Sequence, residues 1–475
     1  MTMQTISADS TAKIFKLLKG NEATMRATTA KERIQKLKML RASILKHRPE
    51  IKQAMLETFA KPELESDISE VYPIIVHIDF VIKNLAEWMR PKWVPTIKEL
   101  WPADSHIHHE PKGTILIISP WNYPFILTID PLVSAIAAGN TAVIKPSELC
   151  PATIPVMRKI IGEVFDANEV QIIEGGVEMT TELMKLPFNH VFFTGSPRVG
   201  KIIMKQAAEH LASITLELGG KSPAIVHEDA NISLAAQRIV FGKFLNAGQT
   251  CVAPDMIYVH EKVAEQFERE CIKWITKQFG NSNELERKPA DIAVIINNSH
   301  FERITGLITD ALSHGASLLC GGHSNPNTRY IAPTLLSNID PDSQILQEEI
   351  FGPVLPILRY QDMDQLIVEL NTTEKPLALY LFSSSTSIQK KVMNETSAGG
   401  VTINDCLIHQ TNPNLPFGGV NNSGIGKSRG HLGFVEFSNI KPVMRASQFI
   451  SYAQLIGPPY TNFKKKLIDF GLKWL

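Results

Sequence analysis

The sequence predicts an α/β protein whose core is an open, doubly wound parallel sheet, followed by a second α/β unit. Short runs of β-forming residues alternate with helical segments along residues 113–194. Residues 113–119 are apolar on both faces, which is typical of a strand buried inside a parallel sheet. This alternation is the pattern of a parallel sheet with helices packed on both faces.

The first unit begins with a long amphipathic helix, predicted over residues 28–61. Ile34, Leu37, Leu40 and Leu45 recur there between charged residues, with Thr28 or Thr29 as the expected N-cap and Pro62 as the expected end. The elements predicted next are a strand at 113–119, a helix at 131–139, a strand at 141–145, a helix at 154–165, and strands at 170–174 and 191–194.

The second alternation runs from about Ser222 to Val401. Its predicted strands are 224–226, 255–260 and 378–382, and its predicted helices are one that ends at Gly242, one at 262–279 and one at 300–314. Residues 416–426 are too rich in glycine for regular structure and are predicted as a loop.

Composition narrows the class of protein. A chain of 475 residues is long enough for two or three domains. The 48 basic and 48 acidic residues balance, which gives no reason to expect nucleic acid as a partner. Five scattered cysteines, with no CxxC pair or Cys/His cluster, argue against a disulfide framework or a metal site. We expect a reduced, cytoplasmic protein.

The two ends of the chain carry different signals. The N-terminus lacks the pattern of a signal peptide, and no apolar run is long enough to span a membrane. Near the C-terminus, Phe463, Leu467, Phe470 and Trp474 recur at helical spacing beside three lysines. Weak peripheral contact with an anionic membrane is one interpretation. The favoured interpretation is a tail that docks on the protein's own body.

The strongest chemical signal is Cys251, which follows a turn rich in glycine and amide residues. A lone cysteine is usually a small core hydrophobe, but the residues before it are poor core formers and suited to an exposed turn with free N–H donors. Glu217 lies 34 positions upstream, at the end of a β-like run and before two glycines, which suggest close approach of another group. A thiolate is a nucleophile, and a nearby carboxylate activates either the thiol or a water.

Other polar residues follow predicted strands, where ligands gather in open α/β sheets. Asn122 is a candidate donor to an oxyanion, together with the backbone N–H of Cys251, or else a turn-forming residue. Lys145 and Glu148 have side chains suited to binding the hydroxyls of a ribose. The alternative interpretation is that they are solvated loop charges. Gly195, Ser196 and Gly200 enter a helix as a phosphate turn would, although a bare G-x4-G is a weak signal.

Seven blocks occur in an order that resembles the NAD(P)-dependent aldehyde dehydrogenase superfamily, over about residues 10–450: Ser119-Pro-Trp-Asn-Tyr-Pro124, Ala138-Gly-Asn-Thr-Ala-Val-Ile-Lys-Pro-Ser-Glu148, Phe193-Thr-Gly-Ser196, Glu217-Leu-Gly-Gly-Lys-Ser-Pro223, Gly248-Gln-Thr-Cys251, Glu348-Glu-Ile-Phe-Gly-Pro353 and Leu415-Pro-Phe-Gly-Gly419. The cysteine loop through Asp255, residues 178–183, His409 and residues 458–460 are most similar to the class 3 branch, which acts on fatty and aromatic aldehydes.

The resemblance implies a mechanism. Cys251 attacks the aldehyde, Asn122 stabilises the oxyanion, hydride passes to the nicotinamide, and Glu217 activates the water that hydrolyses the thioester. It also implies a set of cofactor-binding residues: Trp121, Lys145, Glu148, Gly195, Ser196, Gly200, Glu349 and Phe351. Because a carboxylate at position 148 disfavours a 2′-phosphate, we expect NAD as the first cofactor and NADP as the alternative.

The same resemblance implies a Rossmann-type cofactor domain (1–90 and 111–218), a catalytic domain (219–403), a bridging segment for oligomerisation (91–110 and 404–450) and a tail (451–475). Class 3 relatives imply a homodimer. The substrate is expected to be a medium- or long-chain aliphatic or an aromatic aldehyde, with Trp121, Tyr123 and His409 as candidates for the wall of its tunnel.

Three alternatives remain open. A cysteine hydrolase would need a histidine base, and none lies in the blocks around Cys251 or Glu217. An acylating dehydrogenase would pass its thioester to coenzyme A, and such relatives generally lack the glutamate found at 217. A non-catalytic protein that keeps the fold would have no need of Cys251, Glu217 and Asn122 together.

Overall fold

The computed structural model describes residues 8–280 and 291–474. Its strands are β1 (Lys92–Val94), β2 (Asp104–Pro111), β3 (Thr114–Ile118), β4 (Thr141–Lys145), β5 (Val170–Ile172), β6 (His190–Gly195), β7 (Ser213–Leu218), β8 (Pro223–Val226), β9 (Met256–His260), β10 (Ser317–Cys320), β11 (Ser324–Asn325), β12 (Tyr330–Ile331), β13 (Thr334–Ser337), β14 (Val354–Tyr360), β15 (Ala378–Phe382), β16 (Gly400–Ile403), β17 (Gly424–Ile425) and β18 (Ser438–Arg445).

The α-helices are α1 (Ala8–Gly20), α2 (Glu22–Ala27), α3 (Ala30–Lys46), α4 (Arg48–Phe59), α5 (Glu63–Ser66), α6 (Tyr72–Trp88), α7 (Ile126–Ala138), α8 (Thr153–Val164), α9 (Val177–Met184), α10 (Pro197–Ala208), α11 (Ile232–Phe244), α12 (Ala264–Phe279), α13 (Asn298–Ser313), α14 (Gln344–Gln347), α15 (Met363–Thr372), α16 (Thr386–Glu395), α17 (Gly430–Glu436), α18 (Tyr452–Ile456) and α19 (Asn462–Trp474).

The first sheet has six strands in the order β17-β7-β6-β3-β4-β5. Strands β3 to β7 are parallel, and only β17 runs antiparallel, beside β7. Alternate residues of β3 enter different cores: Ile115 and Ile117 pack with α3, α6, α7 and α8, whereas Leu116 and Ile118 pack with α1, α9 and α10. Both faces are covered, so the predicted doubly wound sheet is confirmed.

The second sheet has seven strands in the order β10-β13-β14-β9-β8-β15-β16, all parallel except β10. Its main core joins strand residues to α11, α12 and α13. Strands β1, β2 and β18 form a third, antiparallel sheet, and they fall in the segments predicted to bridge subunits. That role stays a prediction.

Two helix predictions were wrong. The long helix at 28–61 is two helices, α3 and α4, because Pro49 falls in the first turn of α4, where a proline starts a helix rather than continuing one. Thr29 caps α3 with a full capping box that includes Glu32. Helix α7 begins at Ile126, well before the predicted start at residue 131, and Pro131 lies inside it. Since every residue of α7 is buried, it has no polar face to mark its start.

Two predictions near the C-terminus also need correction. Residues 416–426 are not entirely loop, since β17 pairs with β7 there. Helix α19 forms, but it leaves Phe463 and Leu472 71% and 68% exposed, so these apolar side chains are not docked on the chain's own body. Among the described residues, no helix is both long and apolar enough to cross a bilayer.

Candidate active site

Cys251 lies after a sharp turn that leaves the end of α11. Asn246, Ala247 and Gly248 have φ values of 52°, 51° and 75°, three successive residues in the left-handed region. A Cβ atom on Gly248 would lie 2.2 Å from the carbonyl oxygen of Gly352, so only glycine fits at this position. The turn therefore fixes the place where the thiol emerges.

The prediction that this turn exposes its donors was wrong, because the turn is buried. The Gln249 side chain accepts from the Ile296 N–H (3.0 Å) and donates to the carbonyls of Asn246 (3.0 Å) and Val294 (3.1 Å). The side-chain amide of Gln249 thus forms hydrogen bonds with backbone groups that have no partner in a strand or helix. Cys251 itself is partly exposed, whereas the other four cysteines are buried free thiols.

Asn122 lies directly beside this turn. Its side-chain amide donates to the carbonyl of Gln249 (3.1 Å), and Asn246 donates to the carbonyl of Asn122 (2.8 Å). An amide NH₂ group has two N–H donors, so one remains for a ligand. The hydroxyl groups of Tyr123 and Thr250 also share a hydrogen bond of 2.6 Å. The structure therefore brings the predicted oxyanion donor and the predicted nucleophile into one loop pair.

Glu217 lies within β7 rather than after it, and its backbone is paired with Gly424 of β17. The side chain is buried, and Oε1 accepts a hydrogen bond from the hydroxyl of Ser428. Burial raises the pKa of Glu217 to about 7, against the opposing effects of the Ser428 hydrogen bond and the Arg429 charge. A carboxyl with this pKa takes up and releases protons near neutral pH, as a general base must.

The thiol of Cys251 is held in its neutral form. Burial raises its pKa to about 12, and the carboxylates of Glu349 and Glu217 add to this effect, while Arg429 opposes it. Both carboxylates are thus close enough to act on the thiol electrostatically. Attack by the sulfur requires that the thiol proton passes to an acceptor near the site.

Cys251 opens onto an apolar cavity of about 470 Å³, which Tyr123 and Thr250 also line. The rest of its wall is mainly apolar: Ile68, Tyr72, Val76, Ile126, Leu127, Phe241, Leu245, Leu407, Ile408 and Phe417. Two other candidates for this wall lie elsewhere. Trp121 packs against the rings of His300 (5.0 Å) and Phe351 (5.4 Å), and His409 is hydrogen-bonded to Thr402.

The predicted cofactor residues gather at the carboxyl edge of the first sheet. Lys145 ends β4, and its Nζ lies 2.9 Å from Oε2 of Glu148. Gly195 ends β6, and Ser196 caps α10 by accepting from the N–H of Val199. Gly200 also has a packing role, because a Cβ atom there would lie 2.8 Å from the side chain of Leu218.

This edge fits a dinucleotide on independent grounds. The hydroxyls of Ser119 and Thr194 are buried and have no hydrogen-bond partner among the described residues. They lie at the carboxyl ends of β3 and β6, the neighbouring strands at which the strand order reverses. Helix α10 begins beside them, with Ser196 as its N-cap. Unpaired hydroxyls and a helix N-terminus at a switch point suit ribose and pyrophosphate groups.

Glu349 and Phe351 lie on the loop before β14, on the side of the second sheet. A Cβ atom on Gly219 would lie 2.3 Å from Oε2 of Glu349, so the glycine pair after Glu217 does permit the close approach that its sequence suggested. Burial and the nearby Asp255 raise the pKa of Glu349 to about 8. The two predicted residues therefore lie between the sheets, near the thiol.

Two residues of the site were not predicted from the sequence. Ser428 contacts Glu217, and Arg429 lines the cavity. The available signal was the glycine density around them. Gly424, Gly426 and Gly430 all have positive φ, a conformation that glycine adopts without steric cost, and they lie just beyond the last motif block. In the described parts of the chain, no cluster of His, Cys, Asp or Glu is arranged to hold a metal ion.

A thiol that two buried carboxyl groups influence electrostatically, beside a sheet edge of the dinucleotide-binding type, is the arrangement expected of a dehydrogenase. The chain belongs to the aldehyde dehydrogenase family, whose family model matches residues 1–443. It is therefore an oxidoreductase that acts on aldehydes, in a family whose solved structures include complexes with NAD and NADP. The resemblance inferred from the motif blocks is confirmed.

Three curated relatives illustrate the similarity. The chain is 46% identical to 4,4'-diaponeurosporen-aldehyde dehydrogenase of Staphylococcus aureus over 92% of its own length and 94% of the relative. It is 42% identical to aldehyde dehydrogenase family 3 member A2 of Macaca fascicularis (92% and 88%). It is also 42% identical to the dimeric NADP-preferring aldehyde dehydrogenase of Canis lupus familiaris (86% and 88%).

Solved structures agree. The substrate-bound Staphylococcus aureus AldH has a TM-score of 0.91 and 43% identity, covering 97% of this chain and 99% of that one. The glyceraldehyde-3-phosphate dehydrogenase GapN of Methanocaldococcus jannaschii in complex with NADP has a TM-score of 0.83 and 26% identity (94% and 96%). PnpE of Pseudomonas sp. WBC-3 with nicotinamide adenine dinucleotide has a TM-score of 0.85 and 25% identity (94% and 91%).

Proposed function

We propose that the protein oxidises apolar aldehydes, either medium- and long-chain aliphatic or aromatic, to carboxylic acids, with NAD as the preferred cofactor. The observation that carries this proposal is the apolar cavity that ends at Cys251. Its volume of about 470 Å³ falls within the range of roughly 300–1,000 Å³ found for small-molecule sites.

In this mechanism the Cys251 sulfur bonds to the aldehyde carbon while the thiol proton leaves to a nearby acceptor. The second N–H of the Asn122 amide and the backbone N–H of Cys251 donate to the oxyanion. Bound NAD supplies a hydride acceptor. Cys251 then carries the acyl group as a thioester. Glu217 takes a proton from water, the resulting hydroxide attacks the thioester carbon, and the C–S bond breaks to release the acid.

The cofactor assignment rests on the sheet edge. Lys145 and Glu148 bind the adenosine ribose, and Gly195, Ser196 and Gly200 form the turn against the pyrophosphate. On the opposite side, Glu349 binds the nicotinamide ribose, with Phe351 and Trp121 packed beside it. Because the Glu148 carboxylate repels a 2′-phosphate, kcat/KM should be higher with NAD than with NADP. Equal kcat/KM values with the two cofactors would contradict the role of Glu148. A preference for NADP, like the one in the name of the canine relative, would also contradict it.

A homodimer is part of this proposal. Strand β18 is an eight-residue edge strand that exposes Ile440 and Met444, and a long edge strand with exposed apolar side chains can pair with a second chain. Light scattering should give twice the chain mass of 52.8 kDa at micromolar concentration. A monomer mass would contradict the proposal.

The proposal also includes peripheral contact with an anionic membrane. Helix α19 exposes apolar side chains, and it carries four lysines and one aspartate, a charge that complements acidic lipid headgroups. The protein should co-sediment with vesicles that contain phosphatidylserine and not with neutral vesicles. Replacing Lys464, Lys465 and Lys466 by Gln should abolish co-sedimentation. Equal recovery of this variant with the acidic vesicles would refute the contact.

The main test is an aldehyde panel scored by kcat/KM, from acetaldehyde through long-chain aldehydes to benzaldehyde and 4,4'-diaponeurosporen-aldehyde. We expect kcat/KM to rise with apolar area. The highest value for acetaldehyde would show that the cavity does not select the substrate. A Cys251→Ala variant serves as the control for turnover that does not depend on the thiol.

A further inference from the structure

We propose that Ser428 is a positioning residue for Glu217, held in place by a buried clamp made of Arg429, Asp130 and His77. This inference rests on the deacylating role proposed above for Glu217. The Ser428 hydroxyl contacts Glu217 and the Phe417 carbonyl rather than the thiol. The contribution of Ser428 is therefore expected in the hydrolysis step.

The central contact is a buried hydrogen bond between Ser428 and Glu217. The hydroxyl of Ser428 donates to Oε1 of Glu217, and both side chains are buried. The alternative acceptor, the carbonyl of Phe417, is 3.5 Å from the same hydroxyl. A serine hydroxyl has one proton to donate, and the closer carboxylate receives it. This bond fixes the rotation of the carboxylate and leaves Oε2 as the oxygen that can take a proton from water.

Ser428 is itself fixed against the wall of the aldehyde cavity. Its backbone N–H donates to the carbonyl of Phe417 (2.7 Å), and the N–H of Phe417 donates back to its carbonyl (3.1 Å). Phe417 lines the cavity that ends at Cys251. Ser428 therefore links the carboxylate of Glu217 to the surface along which the substrate lies.

The next residue, Arg429, holds the segment in a strained conformation. Its φ of 69° lies in a region that is unfavourable for a residue with a side chain. The guanidinium group compensates by three contacts. Nε donates to Oδ2 of Asp130 (3.1 Å), Nη1 donates to the carbonyl of Gln410, and the group lies 4.8 Å above the ring of Phe417.

Asp130 and His77 complete the clamp. The N–H of Gly430 donates to Nε2 of His77 (3.0 Å), so Nε2 is an acceptor and the ring proton is on Nδ1. Nδ1 then donates to Oδ1 of Asp130 (2.7 Å). One carboxylate thus accepts from both His77 and Arg429, and the clamp fixes residues 429 and 430 directly after Ser428. The charged groups that act on Glu217 are Arg429, Lys427 and Asp130.

The test uses the full-length enzyme with NAD and a good aldehyde, and compares Ser428→Ala with Ser428→Thr, which keeps the hydroxyl. In Ser428→Ala the burst of reduced cofactor should keep its amplitude, while kcat at pH 7 falls about fivefold and the midpoint of the kcat–pH profile rises by about one unit. At pH 9, where Glu217 is ionised in both proteins, kcat should return to within about twofold of the parent. Ser428→Thr should resemble the parent.

A purely structural role predicts a different pattern. If Ser428→Ala loses turnover equally at every pH, or loses the burst, or changes neither kcat nor the midpoint, the positioning role is wrong. If the alanine variant does not fold, Ser428→Gly should show the same shift of midpoint. A failure of the proposed function is recognised separately, since steady turnover by Glu217→Gln would remove Glu217 as the base whatever Ser428 does.

Discussion

The pKa of Glu217 predicts how turnover depends on pH. Burial sets this pKa at about 7, well above the usual carboxyl value of 4.5. The ionised fraction is then about one tenth at pH 6, half at pH 7 and about nine tenths at pH 8. If hydrolysis of the thioester limits kcat, kcat should rise about tenfold between pH 6 and pH 8. A carboxyl with the ordinary pKa would leave kcat nearly flat over this range.

The assay is the steady-state formation of reduced nicotinamide at saturating NAD and aldehyde, in buffers of constant ionic strength. Rapid mixing at each pH separates the burst, which reports thioester formation, from the slower steady rate. Glu217→Gln is the matched control, since it removes the titrating group and keeps its shape. Its steady rate should fall by about 10²–10⁴ and lose the pH dependence. A parent profile that is flat from pH 6 to pH 8 would refute the reasoning.

Four further predictions concern stability and binding. Because the pKa of Glu217 is raised in the folded state, the free energy of unfolding falls as pH rises from about 4.5 to 7. In urea unfolding, Glu217→Gln should therefore be more stable than the parent by up to about 3 kcal/mol at pH 8, and equally stable at pH 4. Lys61 and Glu70 form a fully buried ion pair, and Lys61→Met should cost about 3–5 kcal/mol in urea unfolding. Lys61→Met with Glu70→Gln, which removes the unpaired charge and keeps an acceptor for the N–H of Ile126, should recover part of this loss. Thr29→Ala should cost about 1 kcal/mol in the same measurement through loss of the α3 cap. Cys251→Ala should abolish turnover and keep NAD affinity within about twofold by calorimetry, because the thiol lies in the cavity that we assign to the aldehyde.

The seven strands that were predicted are all present, because a strand buried on both faces appears in the sequence as a continuous apolar run. Strands β13, β14, β16 and β18 were not predicted. β4 and β15 have the predicted bounds. The same burial hid the start of α7, since a helix without a polar face has no 3.6-residue pattern. The break between α3 and α4 was signalled by Pro49 and was overlooked.

The candidate site was predicted in part for a similar reason. Asn122, Lys145 and Gly195 each follow or end a parallel strand, and parallel strands bring their carboxyl ends to one edge. The burial of the turn before Cys251 was not foreseen, because amide residues read as solvent-exposed unless the backbone groups that they satisfy are known. The role of Ser428 could not be predicted, because Ser428 and the residue it contacts, Glu217, are 211 positions apart in the sequence.

The central claim is that Cys251 carries the acyl group and that Glu217 directs its hydrolysis. Mass spectrometry of Glu217→Gln, mixed with NAD and aldehyde and then quenched, tests it most directly. We predict a peptide containing Cys251 that is heavier by the acyl group, accumulating to nearly one per chain in the variant and decaying at least about a hundredfold more slowly than in the parent enzyme once free aldehyde is removed. An unmodified Cys251 in a variant that still reduces NAD, or an acyl group on another residue, would contradict it.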